Sequence, residues 1–313
     1  MATLRTPETF VLAKLESTYG TAVSLAGSDA LTVVNFSLNP VVSDIKERTL
    51  IRNYAGNFPT VNSNVKAEVT FTAELIPSGT AGTAPPTLDK LLKACGLTRA
   101  DTSTTNTYTP DPDLDTADSL TIGAYIGKHG YHRLTGCRGS FSIDLQTSEV
   151  PSISFTFEGI WEAPSHVASP PTPTFSTYQP EAANSTNTTA VQVHSFAGSL
   201  MSFTYNHANA LYYSELLGGS KSTRITDRKP SGSLVLEAPT YNTKNFHTLT
   251  NSSTTGNITW QNGQTAGNKI TFLASYADLD GIGIEDNEGY SMVNLNYRAL
   301  PSSGNDEMSL KFH

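Results

Sequence analysis

Two cysteines in 313 residues, Cys95 and Cys137, are too few for a disulfide framework. Cys95 falls on an apolar helical face and is expected as a small buried hydrophobe, with a single Cys95–Cys137 bridge as the minor alternative. Charge is also scarce. Only 15% of residues are charged, and acids outnumber bases to give a formal net charge of −8 and a pI near 5.3. A protein that grips nucleic acid carries a basic patch or a basic total, and neither is present. The basic clusters Lys128 to Arg133 and Arg224 to Lys229 are diluted by Gly, Tyr and Asp. No run approaches the roughly 18 apolar residues of a membrane span. Met1 to Phe10 lacks the basic start and apolar run of a signal peptide, so synthesis in a cytoplasm is expected. The Asn-x-Ser/Thr triplets at Asn184, Asn187, Asn251 and Asn257 are then chance products of a Ser/Thr-rich chain.

Motifs that carry chemistry are missing as well. There is no Walker loop, dinucleotide glycine fingerprint, His-Glu-x-x-His helix or Gly-x-Ser-x-Gly elbow. His129-Gly130-Tyr131-His132 has zinc-like spacing for two ligands but no second pair, and is expected as a hairpin tip bearing exposed histidines. Asp111, Asp113, Asp115 and Asp118 lack the glycine and glutamate of a calcium loop; Pro110 and Pro112 make them an extended acidic loop. No catalytic residue, cofactor or metal is expected, and the chain is read as no enzyme.

What fills the chain is Ser, Thr, Asn and Gly, a composition suited to short strands joined by many turns. Alternation is clearest at Val65, Ala67, Val69, Phe71, Ala73 and Leu75, with Lys66, Glu68, Thr70, Thr72 and Glu74 facing the other way. Period two with one apolar face means a sheet packed on one side and wetted or partnered on the other. Further alternating strands end each half, at Ile153, Phe155, Phe157 and Gly159 and at Val293, Leu295, Tyr297 and Ala299. Phe36-Ser37-Leu38-Asn39 has a counterpart in Phe203-Thr204-Tyr205-Asn206. These matches predict a tandem duplication: a β domain over 1–164 with a long loop at 43–61, a Pro/Ser/Thr-rich linker over 165–194, and a second β domain over 195–313. One amphipathic helix is expected per unit. Leu88, Leu91, Leu92 and Cys95 follow Pro85-Pro86-Thr87 and stop at Gly96, while Phe246 and Leu249 mark a weaker stripe within Thr243 to Asn251.

Several blocks, in order, resemble the tail tube (major tail) proteins of long-tailed, non-contractile bacteriophages. They are Lys14-Leu15-Glu16-Ser17-Thr18-Tyr19-Gly20-Thr21; Gly79 to Pro86 followed by Leu91-Leu92-Lys93-Ala94-Cys95-Gly96; Tyr108-Thr109-Pro110; Leu134 to Phe141; and Ser154 to Gly159. The likeness covers roughly residues 10 to 164 and is less distinct beyond. It implies a mainly β fold, tandem barrel or sandwich domains each with a flanking short helix, and a structural virion protein. Such subunits stack as homo-oligomeric rings into the conduit for genome ejection. For a duplicated chain it implies homotrimeric, pseudo-hexameric rings. Partners implied are copies of itself, the tape measure, tail terminator and distal tail proteins, and viral DNA passing without tight binding. The runner-up is another virion β protein, a baseplate or tail-tip subunit or a carbohydrate-binding adhesin domain. A third class, a β-rich hydrolase, would need paired carboxylates across a cleft.

Two surfaces follow as expectations. The polar face Lys66, Glu68, Thr70, Thr72 and Glu74 is a candidate lumen lining, or else a solvated outer face. The long segment holding Asp44, Arg48, Arg52, Tyr54 and Phe58 is a candidate ring-stacking element, because long loops are usually functional or disordered and Arg and aromatics anchor interfaces. Residues before Leu31 and after Ala299 are candidate arms.

Overall fold

The computed structural model describes residues 6–175 and 178–313. The expected arm and linker residues at 1–5 and 176–177 lie outside the described residues. Strands make up 51% of the protein and helix 6%, so it is mainly β. Every paired ladder is antiparallel.

In chain order the first elements are β1 (Phe10–Leu15), β2 (Val34–Lys46), β3 (Val61–Glu74), α1 (Leu88–Ala94), β4 (Leu97–Asp101) and β5 (Asn106–Pro110). Then come β6 (Leu120–Ile126), β7 (Gly130–Gln146), β8 (Ser152–Trp161) and the short β9 (Ser165–His166). The second set is β10 (Thr188–Val193), β11 (Leu200–Asn206), β12 (Asn209–Glu215), β13 (Lys221–Arg228), β14 (Ser231–Glu237) and α2 (Phe246–Asn251). It ends with β15 (Gly256–Asn262), β16 (Ile270–Asn287), β17 (Tyr290–Ala299) and β18 (Ser309–Phe312). Between β9 and β10 the described residues form no strand or helix.

The pairings trace the same order twice. One ladder runs β1-β6-β7-β8-β3-β2. The other runs β10-β15-β16-β17-β14-β11. They merge because β11 pairs with the C-terminal end of β7, and again because β18 bridges β16 and β5. Of the barrel and sandwich alternatives, no closed barrel forms among the described residues; the main path stays open from β2 to β4. The reason lies in strand length. β7 and β16 are long enough to change partners midway, so the sheet bends over its core instead of closing on itself.

The alternating residues seat that core. Ala67, Val69, Phe71 and Ala73 on β3 face Ile153, Phe155 and Phe157 on β8, and all are buried. Val293, Leu295, Tyr297 and Ala299 do the same on β17, and one contiguous apolar cluster runs through both ladders. Helix α1 buries Leu88, Leu91, Leu92 and Ala94 in it. It ends at Gly96, whose φ of +76° suits a residue without Cβ and whose N–H caps Lys93 O at 3.0 Å. In α2 the Asn245 side chain caps the helix by accepting from Thr248 N, and Phe246 is the buried anchor. Cys95 and Cys137 are both buried and both free thiols.

Candidate functional site

Because paired residues share a face, the registers define what lies opposite the core. One row crosses Glu74, Ser152, Asp144, Thr204, Ser233, Asn296 and Gly281 on seven neighbouring strands. The next crosses Thr72, Ser154, Ser142, Asn206, Ser231 and Arg298. Small hydroxyl and amide groups dominate both rows and bond across strands, as in Thr72 Oγ1 to Ser154 Oγ and Thr204 Oγ1 to Ser233 Oγ, each 2.9 Å. The five residues expected on β3 therefore belong to a polar face eight strands wide, from β2 to β16.

The face has little free positive charge. Lys66 Nζ lies 3.0 Å from Glu68 and 2.9 Å from Glu158. Partial burial pulls its ammonium down, but these two carboxylates outweigh that and its pKa is raised. Arg298 is held by Asp280 at 2.6 Å. Among the described residues no cation pairs with Glu74, Asp144 or Glu285. The contributions of β7, β8, β11, β14 and β17 escaped the reading of single strands. Their signal was present as Ser-x-Ser and Asn-x-Asn alternation, but only pairing places them side by side.

The second candidate surface is the arm formed by the outer parts of β2 and β3 and the segment 47–60 between them. Arg52 sits over Tyr54 and Phe58, its guanidinium carbon 4.4 Å and 4.1 Å from the ring centroids. It also donates to Tyr54 O at 3.1 Å and Asn57 O at 3.2 Å. These three side chains are brought together. Asp44 stands apart, accepting from Asn64 Nδ2 at 2.8 Å, and Arg48 lies exposed between them. Leu50, Ile51 and Tyr54 are exposed at 50%, 104% and 67%, so the arm carries apolar side chains in solvent.

A hairpin missed in sequence holds the corresponding place between β11 and β14. Strands β12 and β13 lie across the first ladder. Tyr213 donates to Val65 O at 2.9 Å, Asn209 Nδ2 to Cys95 O at 2.7 Å, and Thr223 N to Tyr19 Oη at 2.6 Å. Tyr19 also donates to Gly136 O. Gly136 has a φ of +59°, and a Cβ there would sit 2.8 Å from the Tyr19 ring. Arg138, its pKa lowered by burial, bonds Ala117 O and stacks on Tyr19. Beyond this anchor the hairpin tip carries Leu216 and Leu217 into solvent, 62% and 105% exposed.

Residues 6–299 match the family of phage tail tube proteins. The chain belongs to that family. No curated protein matches it significantly. The histidines expected to be exposed at the β6–β7 turn are half-buried, with His129 Nδ1 2.8 Å from Val167 O. Among the described residues no group of His, Cys, Asp and Glu could hold a metal ion. No helix among them is long and apolar enough to cross a membrane.

Proposed function

We propose that copies of this chain close into rings, that the rings stack into the phage tail tube, and that the polar sheet face lines the conduit for DNA. The observation that carries this reading is the eight-strand face of Ser, Thr and Asn with unpaired carboxylates and with Lys66 and Arg298 neutralised by ion pairs. A phosphate backbone is not held by such a surface, whereas a basic groove would trap it.

The width of the face supports three chains per ring. At ~4.8 Å per strand, eight strands span about 38 Å of arc, and three copies about 115 Å of circumference. That is roughly 37 Å between opposite backbones, more once strands tilt, which leaves room for a duplex inside the side chains. At −8 per chain, three chains carry 3 × −8 = −24. The exposed arm around Arg52 and the Leu216–Leu217 tip project as ring-to-ring contacts. Copies of the chain are then the main partner, with tape measure protein inside and terminator and distal tail proteins at the ends. The role is structural, in the virion tail.

The adhesin alternative needs an exposed aromatic sugar platform. Trp260 is fully buried and Trp161 packs against the core, so neither tryptophan supplies one. Electron microscopy and native mass measurement of the purified chain test the proposal. Rings or tubes of one uniform diameter, built from three chains, are expected; a monomer at millimolar concentration would refute it.

A further inference from the structure

The seam between the two ladders is a strand pair made inside one chain. β11 ends the second ladder, and it pairs with β7 as Phe203 to Leu145, Thr204 to Asp144, Tyr205 to Ile143 and Asn206 to Ser142. The first ladder ends in β2 just as the second ends in β11, yet the outer edge of β2 has no partner among the described residues. β16 holds the place of β7. Its pairing with β15 stops at Ala277, and beyond that its outer edge has no partner among the described residues. The chain thus carries one seam made and the two halves of a second seam unmade, at opposite ends of the same face.

Register fixes which residues correspond. Ser37 lies opposite Thr70 as Thr204 lies opposite Ser233. Following each row onward, Phe71, Phe155 and Phe141 correspond to Leu234, Leu295 and Ile282. Ile143 then corresponds to Ile284, and Asp144 to Glu285. The pairing with β6 and β15 gives the same answer independently, since Cys137 and Ala277 end those two ladders and one extra residue follows in the bulge at Asp280.

Burial is incomplete where the second seam would form. Phe203, Tyr205 and Ile143 are 0%, 1% and 1% exposed at the made seam. Their counterparts Phe36 and Leu38 are only half-buried, and Ile284 is 58% exposed. A bare strand edge flanked by unburied apolar groups is a template for another strand. Pro40, which has no N–H, ends the usable edge of β2 after Asn39, which keeps the second seam as short as the first.

We propose that β2 of one copy pairs antiparallel with the outer edge of β16 in the next, Ser37 opposite Glu285 and Leu38 opposite Ile284, repeating the internal seam. The two edges differ, so each copy offers one of each, and the contact is heterologous and closes by rotation. This inference rests on the ring reading above and names the contact that makes the ring.

A disulfide trap tests it. Within one chain Ser37 and Glu285 are separated by about seven strand spacings, roughly 34 Å, far beyond the reach of a disulfide. The native thiols are buried. Chains carrying S37C and chains carrying E285C are mixed at assembly and treated with diamide. A covalent dimer is expected in the mixture, a covalently closed ring from the double variant, and no product when D280C replaces E285C. Ile284→Lys alters an exposed side chain, so its melting temperature should stay that of the wild type while ring formation is lost. Wild-type rings without the S37C–E285C bond, a bond through D280C instead, or intact rings of I284K would each overturn the pairing and leave the tube reading standing. A wild-type chain that never forms rings would end both.

Discussion

Tyr205 on β11 lies directly opposite Ile143 on β7, both 1% exposed, and through this pair the buried core of one ladder continues into the other. Tyr205 also places its hydroxyl 2.9 Å from Nδ1 of His207, whose ring stacks on Phe141 with centroids 4.7 Å apart. The seam is therefore apolar and aromatic beneath and hydroxylic above, as a sheet with one packed side requires.

His207 makes that seam acid-sensitive. Burial, with the nearby Arg228, pushes its pKa from the ordinary 6.5 of a histidine down to about 3. The folded pKa lies below the unfolded one, so this group's stabilisation is complete above about pH 6.5 and is lost as pH falls toward 3, by up to ~1.4 kcal/mol per pH unit. His207→Phe keeps a ring against Phe141 but takes up no proton. Urea midpoints followed from pH 7 to 4 should fall more steeply for the wild type than for H207F; parallel curves would mean the imidazole is not held neutral.

A buried ion pair ties the C-terminal region to the base of the β12–β13 hairpin. Arg228 Nε lies 2.9 Å from Glu307, with both side chains 8% exposed, and Arg228 also bonds Asn305. Glu307→Ala strands a buried guanidinium and should cost about 3–5 kcal/mol. Replacing both, as R228M with E307L, should recover most of that in thermal unfolding. A loss below about 1 kcal/mol in E307A would show the pair to be solvated.

The arm should matter for tubes and not for folding. Arg52→Ala removes the stacking on Tyr54 and Phe58 in an arm that stands away from the core, so unfolding should shift by no more than about 0.5 kcal/mol. Rings should still form while their stacking weakens. Electron micrographs of R52A showing tubes as long as those of the wild type would remove the arm from the ring-to-ring contact.

The charge of the sheet face should set how freely DNA moves. Glu74→Lys with Asp144→Lys adds two cations in one row without touching the core. Genome release from assembled particles should slow, most at low salt. Release kinetics equal to wild type at every salt concentration would place that face away from DNA.

Much was legible in the chain itself. Alternation located β3, β8 and β17 and assigned their buried faces, because side chains on a strand alternate whatever its partner. The spacing of Leu88, Leu91, Leu92 and Cys95 with Gly96 placed the helix on β-rich surroundings for the same local reason. Scarce charge, few basic groups and missing catalytic motifs pointed to a structural role, and the blocks around Tyr19, Gly96 and Gly136 pointed to the family. The β12–β13 hairpin was not legible, since its docking depends on Tyr19, Arg138 and Val65, far away in sequence.

Amino-acid order alone settled the strand faces, the helix and the family, since each is written in contacts between near neighbours or in local motifs. Tertiary structure alone decided that Tyr205 meets Ile143, that residues from seven strands align in one row, and that, among the described residues, β2 and the C-terminal end of β16 keep bare outer edges. Strand pairing is a long-range choice of partner and register, made by backbone hydrogen bonds that are the same for every residue type. Side-chain order therefore constrains it only once the whole core is packed.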